Sequence, residues 1–153
     1  MKKITYDEFK KMDMRLGHIK YVETVEGTDK LLRFEIDFGP MEIECDATCR
    51  EECRCDNDTC VCVQDCICEM PEPSFAKEEY AGRDIRQIVS GIREFFPEYK
   101  ELIGTYGLYI LNLEPREIRG VMSHGMLMAV DGIDGKPVFL GPQGDVSPGS
   151  RVR

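Results

Sequence analysis

The sequence predicts an all-β protein, a small closed barrel of about five short strands, with short helices and one cysteine-rich insertion between strands 2 and 3. Three observations predict it. Apolar and polar residues alternate with period two in short runs, residues of turn chemistry separate those runs, and one run, YGLYILNL, is apolar on both faces. Short strands with little helix between them close most economically into a barrel, which leaves no exposed sheet edge.

The elements follow in order. Thr5 is an N-cap with Glu8 three residues on as its capping-box partner, and Ile4 and Phe9 are spaced for a hydrophobic staple, so a short helix is expected over Tyr6 to Met12. RLGHIKYVETV is a first strand, with Gly17 suited to a bend or bulge. In LLRFEIDFG, Leu32, Phe34, Ile36 and Phe38 alternate with Arg33, Glu35 and Asp37, which predicts a second strand with one buried face. IRQIVSGI, Ile85 to Ile92, is the third strand, and Tyr106 to Leu113 the fourth. PEYKELIG between them supplies one or two helical turns, entered at Pro97 and ended at Gly104. HGMLMAVDG and KPVFLG form a final hairpin across the Asp131 to Lys136 turn. Met122, Met126 and Met128 have strand-like spacing and are expected to fill the core or a dimer interface.

A chain of 153 residues has room for one domain, 1–153, which carries residues 41–80 as an insertion within it. The formal charge of -9 is unevenly placed, because residues 41–80 hold 12 acidic and 3 basic side chains while the remainder holds 17 of each. A basic surface on the remainder is therefore compatible with an acidic total. MKKITYDEFKK has no apolar stretch of signal-peptide length and no run of about 18 apolar residues follows, so a cytoplasmic protein with no membrane span is expected.

The runs ITYDEFKKMDMRLGHI, DKLLRFEIDFG, RQIVSGI, NLEPREIRGVMSHGMLMAV and PGSRVR, in this order and spacing, resemble the tRNA-binding domain at the C-terminus of many methionyl-tRNA synthetases. The same domain occurs in free-standing tRNA-binding proteins and in secretion-chaperone relatives. The resemblance covers nearly everything outside 41–80, and NLEPREIRGVMSHGM is its most specific part. It implies a five-stranded oligonucleotide-binding (OB) barrel, a homodimer in the short free-standing form, and structure-specific tRNA binding without catalysis, either alone or as a trans subunit of methionyl-tRNA synthetase. It also implies the RNA-binding residues: Lys30, Arg33, Arg86, Arg116 and Arg119 for phosphates, with Asn112 and Ser123 adding hydrogen bonds to sugar or base edges. His124 is read as a turn or packing residue. Glu114 stands where the family pattern has lysine, and SHGM replaces SQGM.

No phosphate loop or nucleophile–base set is present in the sequence, and the only histidines are His18 and His124, so no enzymatic activity is expected. Two other classes compete with RNA binding: a metal-storage or redox- and metal-sensing protein on the same scaffold, and a chaperone-like peptide binder.

All eight cysteines lie in the insertion, at Cys45, Cys49, Cys53, Cys55, Cys60, Cys62, Cys66 and Cys68. In a reducing compartment such crowding favours metal ligation over disulfides. Cysteines two apart on extended backbone project to one face, about 6.6 Å between Cα atoms, within reach of one ion. Asp56-Asn57-Asp58-Thr59 has the chemistry of a turn that folds two C-x-C pairs back on each other. Eight thiolates suit two closed four-cysteine zinc sites, with Zn–S near about 2.3 Å; the same ligands suit an iron–sulfur centre or copper(I).

Overall fold

The computed structural model describes residues 3–41, 54–56, 59–61 and 78–153, with backbone alone at 54–56, 59–61 and 78. The capping box forms as its spacing requires: the Glu8 carboxylate accepts from the Thr5 amide at 2.7 Å, and Thr5 Oγ1 accepts from the Glu8 amide at 3.2 Å. One short helix follows, α1 over Tyr6–Lys10, with Lys11 as C-cap. Ile4 is exposed, so the staple expected from its spacing contributes little.

The strands are β1 (Met14–Thr24), β2 (Leu32–Pro40), β3 (Arg54–Asp56), β4 (Thr59–Val61), β5 (Arg83–Ser90), β6 (Tyr106–Ile110), β7 (Arg116–Ile118), β8 (Val121–Ser123), β9 (Met126–Asp131) and β10 (Pro137–Phe139). Six of them make an antiparallel sheet of order β10-β9-β6-β1-β2-β5, and β3–β4 and β7–β8 are separate two-stranded pairs. The order is open, and among the described residues no ladder joins the β5 and β10 edges. Hydrogen bonds do bridge β5 to the β8–β9 turn: the His124 amide donates to the Gln87 carbonyl at 2.8 Å and the Val89 amide to Ser123 Oγ at 3.1 Å.

The core is the cluster of Ile19, Val22, Leu32, Phe34, Ile36, Phe38, Ile88, Tyr109 and Leu111. Gly17 neither bends nor bulges the first strand. It pairs with Gly107 on β6, and a Cβ there would meet Ile36 Cγ2 at 2.3 Å and the Phe38 ring at 2.6 Å, so the glycine permits close approach. The register shift of β1 instead lies between Ile19 and Tyr21.

β2 was expected to bury one face and buries both. Glu35 and Asp37 are 1% and 3% exposed. Each is satisfied by groups distant in sequence: Tyr80 Oη donates to Glu35 Oε2 at 2.9 Å, and Arg83 Nη2 lies 2.7 Å from Asp37 Oδ2. Of the two roles expected of the methionines, core or dimer interface, Met122 and Met126 do not take the first, being 38% and 48% exposed.

Tyr109 is buried, meets Phe38 edge-on at 5.4 Å between centroids, and its hydroxyl has no partner among the described residues. Burial pushes its phenol above the ordinary value, and Tyr80 is raised first by burial and then by Glu35. Because the unfolded chain ionises these phenols near about pH 10 while the folded chain keeps the protons, stability is complete below that pH and is lost above it. Tyr109→Phe removes a hydroxyl that folding desolvates without recompense, and is expected to raise stability by about 1 kcal/mol, or about 2–4 °C in Tm, with a shallower alkaline decline. A lower Tm in differential scanning calorimetry would refute this.

The second and third main-sheet strands also close the base of the long connection between them. Pro40 pairs with Arg83, and the Met41 amide donates to the Gly82 carbonyl at 2.9 Å. In that connection β3 and β4 pair with Cys55 opposite Cys60, the backbone arrangement expected of the intervening turn sequence. Cys45, Cys49, Cys53, Cys62, Cys66 and Cys68 lie outside the described residues.

Candidate nucleic-acid interface

The segment between β6 and β9 holds two exposed arginines, Arg116 and Arg119. After Leu111 the chain leaves the sheet at Asn112, whose amide is committed to backbone: Oδ1 accepts from the Asp13 amide at 2.8 Å, and Nδ2 donates to the Lys11 carbonyl. This fixes the stalk of the hairpin against the start of β1. β7 and β8 then pair from Arg116 opposite Ser123 to Ile118 opposite Val121, leaving a two-residue loop of Arg119 and Gly120. Both have positive φ, 53° and 81°, the requirement of a type I′ turn whose twist suits a tight hairpin. Arg119 is the sole non-glycine residue with positive φ among the described residues.

The hairpin is held down by polar side chains. Gln87 Nε2 donates to the Met122 carbonyl at 2.7 Å, and Gln87 Oε1 accepts from Arg33 Nη1 at 2.8 Å. Arg33 also donates through Nη2 to Glu35 at 3.3 Å and through Nε to Glu23. A continuous chain thus runs from Tyr80 through Glu35, Arg33 and Gln87 to β8. Arg86 bonds Asp84 through Nε at 2.9 Å and the Leu111 carbonyl through Nη1 at 3.1 Å, bracing the stalk from the other side. Ser123 is buried, accepting from Val89 and donating to the Gly125 carbonyl at 3.1 Å.

The seven residues singled out in the sequence therefore occupy two positions. Lys30, Arg116 and Arg119 are exposed, Lys30 in the β1–β2 loop and the arginines on the hairpin. Arg33 and Arg86 are half-buried, Ser123 is buried, and Asn112 is exposed but has its amide committed to backbone; these four hold the hairpin and its stalk. The structure brings Arg33 and Ser123 to the same support because Gln87 and Val89 are near neighbours on β5. Sequence reasoning passed over Gln87 as a site residue; its signal was weak, a polar side chain inside the apolar run RQIVSGI. It also left the β7–β8 pair unassigned, since Arg-Gly is a faint form of the Asn-Gly hairpin signature.

Two exposed arginines on a hairpin braced from a sheet can contact a phosphate backbone, and comparison with known proteins bears on which one. Residues 79–151 match the model of the family described as Putative tRNA binding domain. The tRNA-binding-domain match takes in β5, the whole hairpin and the C-terminal segment, and so contains every candidate residue except Lys30 and Arg33. Among solved structures, the chain is similar to a MetRS related protein from Pyrococcus horikoshii, with TM-score 0.65 and 27% identity over 100% of both chains. It is similar in fold to the chaperone CsaA of Bacillus anthracis, with TM-score 0.62 and 18% identity over 99% of this chain and 100% of the other. CsaA of Picrophilus torridus gives TM-score 0.62 and 20% identity over 99% and 100%.

Proposed function

We propose that the chain is a tRNA-binding module, without catalytic activity, that grips the phosphate backbone through Lys30, Arg116 and Arg119. Arg33, Arg86, Asn112, Ser123 and Gln87 position these cations. One observation carries the reading: the tRNA-binding-domain match spans the hairpin on which the exposed arginines stand. In five-stranded OB barrels the loops after the first and fourth strands grip nucleic acid; the reading assigns Lys30, between β1 and β2, and the β7–β8 hairpin, between β6 and β9, to those connections by chain order. Counterion release sets the test. Retention of tRNA on a filter is expected to fall with salt at a log–log slope of about -0.7 to -0.9 for each phosphate neutralised. Absence of retention at low salt would sink the proposal.

The finer reading is a homodimer that works beside methionyl-tRNA synthetase in the cytoplasm. The name of the Pyrococcus horikoshii relative supports the second association. The first is supported by an exposed apolar patch on β9 and β10, where Val130 and Val138 are cross-strand partners 48% and 50% exposed, with Met126 alongside on β9. No helix among the described residues is long and apolar enough to cross a membrane. Light scattering checks both associations: a dimer alone at micromolar concentration, and a heavier species with the synthetase. A monomer under both conditions contradicts them.

We further propose that the eight cysteines hold metal, two zinc ions being the best fit to eight thiolates. The favouring observation is the β3–β4 register, which sets Cys55 opposite Cys60, one cysteine from each of two C-x-C pairs. Thiolate ligation in a segment poor in large apolar groups would make metal affinity its source of folding energy. Residues 41–80 are already strongly acidic, so this lobe would repel RNA and act as a sensor or store more readily than as a grip. Elemental analysis of protein purified without added metal is expected to find about two zinc ions per chain. Stoichiometric iron or copper(I) would reassign the ion, and metal-free protein with four disulfides would refute ligation.

A further inference from the structure

Residues 80–83, where the long connection after β2 rejoins the main sheet, are pinned to one face of β2 at two points. Glu35 and Asp37 are two apart on that strand and so share the face. Tyr80, which ends the 3-10 turn Glu78–Tyr80, donates from Oη to Glu35 Oε2 at 2.9 Å. Three residues on, Arg83 donates from Nε to Asp37 Oδ2 at 2.9 Å, while Asp37 Oδ1 accepts from the Gly39 amide at 2.9 Å. Between these points the Gly82 carbonyl accepts from the Met41 amide. The Tyr80 phenol, 8% exposed as a residue, is therefore placed by its backbone as well as by its hydroxyl.

From this anchor the polar contacts run on to the hairpin. Glu35 Oε1 accepts from Arg33 Nη2 at 3.3 Å, Arg33 Nη1 donates to Gln87 Oε1 at 2.8 Å, and Gln87 Nε2 donates to the Met122 carbonyl at 2.7 Å. Carboxylate, guanidinium and amide are planar groups, and each is engaged on both sides, so none of the three turns without displacing the next. Glu23, on β1, holds the same guanidinium through Nε. Met122 lies on β8 directly opposite Glu117, the neighbour of Arg116, and three residues after Arg119. A buried charged chain is a poor way to gain stability, because desolvating Glu35 and Arg33 costs much of what their contacts return. It fixes orientation more narrowly than apolar packing does.

We propose that Tyr80 is a positioning residue that couples the end of the long connection to the β7–β8 hairpin, and so sets how Arg116 and Arg119 meet RNA. The second half of this rests on the tRNA reading; the coupling itself does not. A shift of Tyr80 frees the Glu35 carboxylate, the guanidinium plane follows it, and the Gln87 amide redirects the Met122 carbonyl. The connection between β2 and β5 thereby acts on the RNA surface through side chains of those two strands.

The test begins without RNA, by amide-resolved NMR of the full chain. Tyr80→Phe, which removes one hydroxyl, is expected to shift the amides of residues 116–123. Tyr109→Phe, which removes a buried hydroxyl bonded to nothing among the described residues, is expected to leave them in place. In a Gln87→Ala background, where the chain is cut before the hairpin, Tyr80→Phe is expected to move those amides no further. Hairpin amides that stay put in Tyr80→Phe, even with a lowered Tm, or that move equally in the Gln87→Ala background, would overturn the coupling. The tRNA affinity of Tyr80→Phe is expected to fall roughly threefold to tenfold with the salt slope unchanged, because one hydrogen bond is lost and no phosphate contact is. Unchanged affinity despite shifted amides, or the same loss in an Arg116→Glu/Arg119→Glu background, would overturn the second half. Shifted hairpin amides with no tRNA retention by the wild type leave the coupling standing and sink the RNA reading alone.

Discussion

Reversing two charges on the hairpin, Arg116→Glu with Arg119→Glu, is expected to lower tRNA affinity roughly a hundredfold at low salt and to flatten the salt slope by about 2. Both side chains are exposed and neither makes an ion pair among the described residues, so their charge is available to a ligand. The hairpin already carries Glu114 and Glu117, both exposed, which leaves its net charge dependent on these two arginines. Arg116→Lys with Arg119→Lys keeps the charge and is expected to restore the slope, with affinity recovering less fully because the planar guanidinium fork is lost. Unchanged circular dichroism establishes that the fold is intact. An unaltered slope in the Glu variant would place the phosphate contacts elsewhere on the molecule.

The second large effect is on stability. Glu35→Ala is expected to cost about 3 kcal/mol, lowering Tm by about 6–12 °C. Glu35 is 1% exposed and accepts from both Tyr80 and Arg33, so its removal takes a charged hydrogen-bond partner from each in a desolvated place. Arg33 keeps Glu23, which limits the penalty. Loosening Arg33 also loosens Gln87, and hydrogen exchange at the His124 amide, which donates to the Gln87 carbonyl, is expected to accelerate more than exchange at core β1 amides such as Ile19. A Tm within about 2 °C of wild type would show that the buried chain of polar groups is energetically idle.

What could be read from the sequence was what is local. The Thr5–Glu8 capping box spans three residues and closes as spacing demands, and the β9–β10 hairpin follows from turn residues between two apolar runs. Arg33 and Arg86 were legible as cations on strands, but their engagement was not. Their partners Glu23, Gln87 and Leu111 come from other segments, and no periodicity records a contact 54 residues away. For the same reason Glu35 and Asp37 looked like the wet face of β2. Tyr80 and Arg83, beyond the long connection, cover them. Gly17 was legible as special but not why, because the collision it avoids is with Ile36 and Phe38 of the next strand. Met122 and Met126 left core and interface undecided, because apolar spacing marks which residues share a face and says nothing of whether that chain's own atoms cover it.

On the proposed reading, the left-handed backbone at Arg119 sets folding and recognition at odds. Arginine there bears a conformational cost that asparagine or glycine avoids, so selection for thermal endurance alone would drive the arginine out of the turn. A stabilised version of this protein, obtained by heat selection or by choosing the most favourable turn residues, would be harder to melt and poorer at its task.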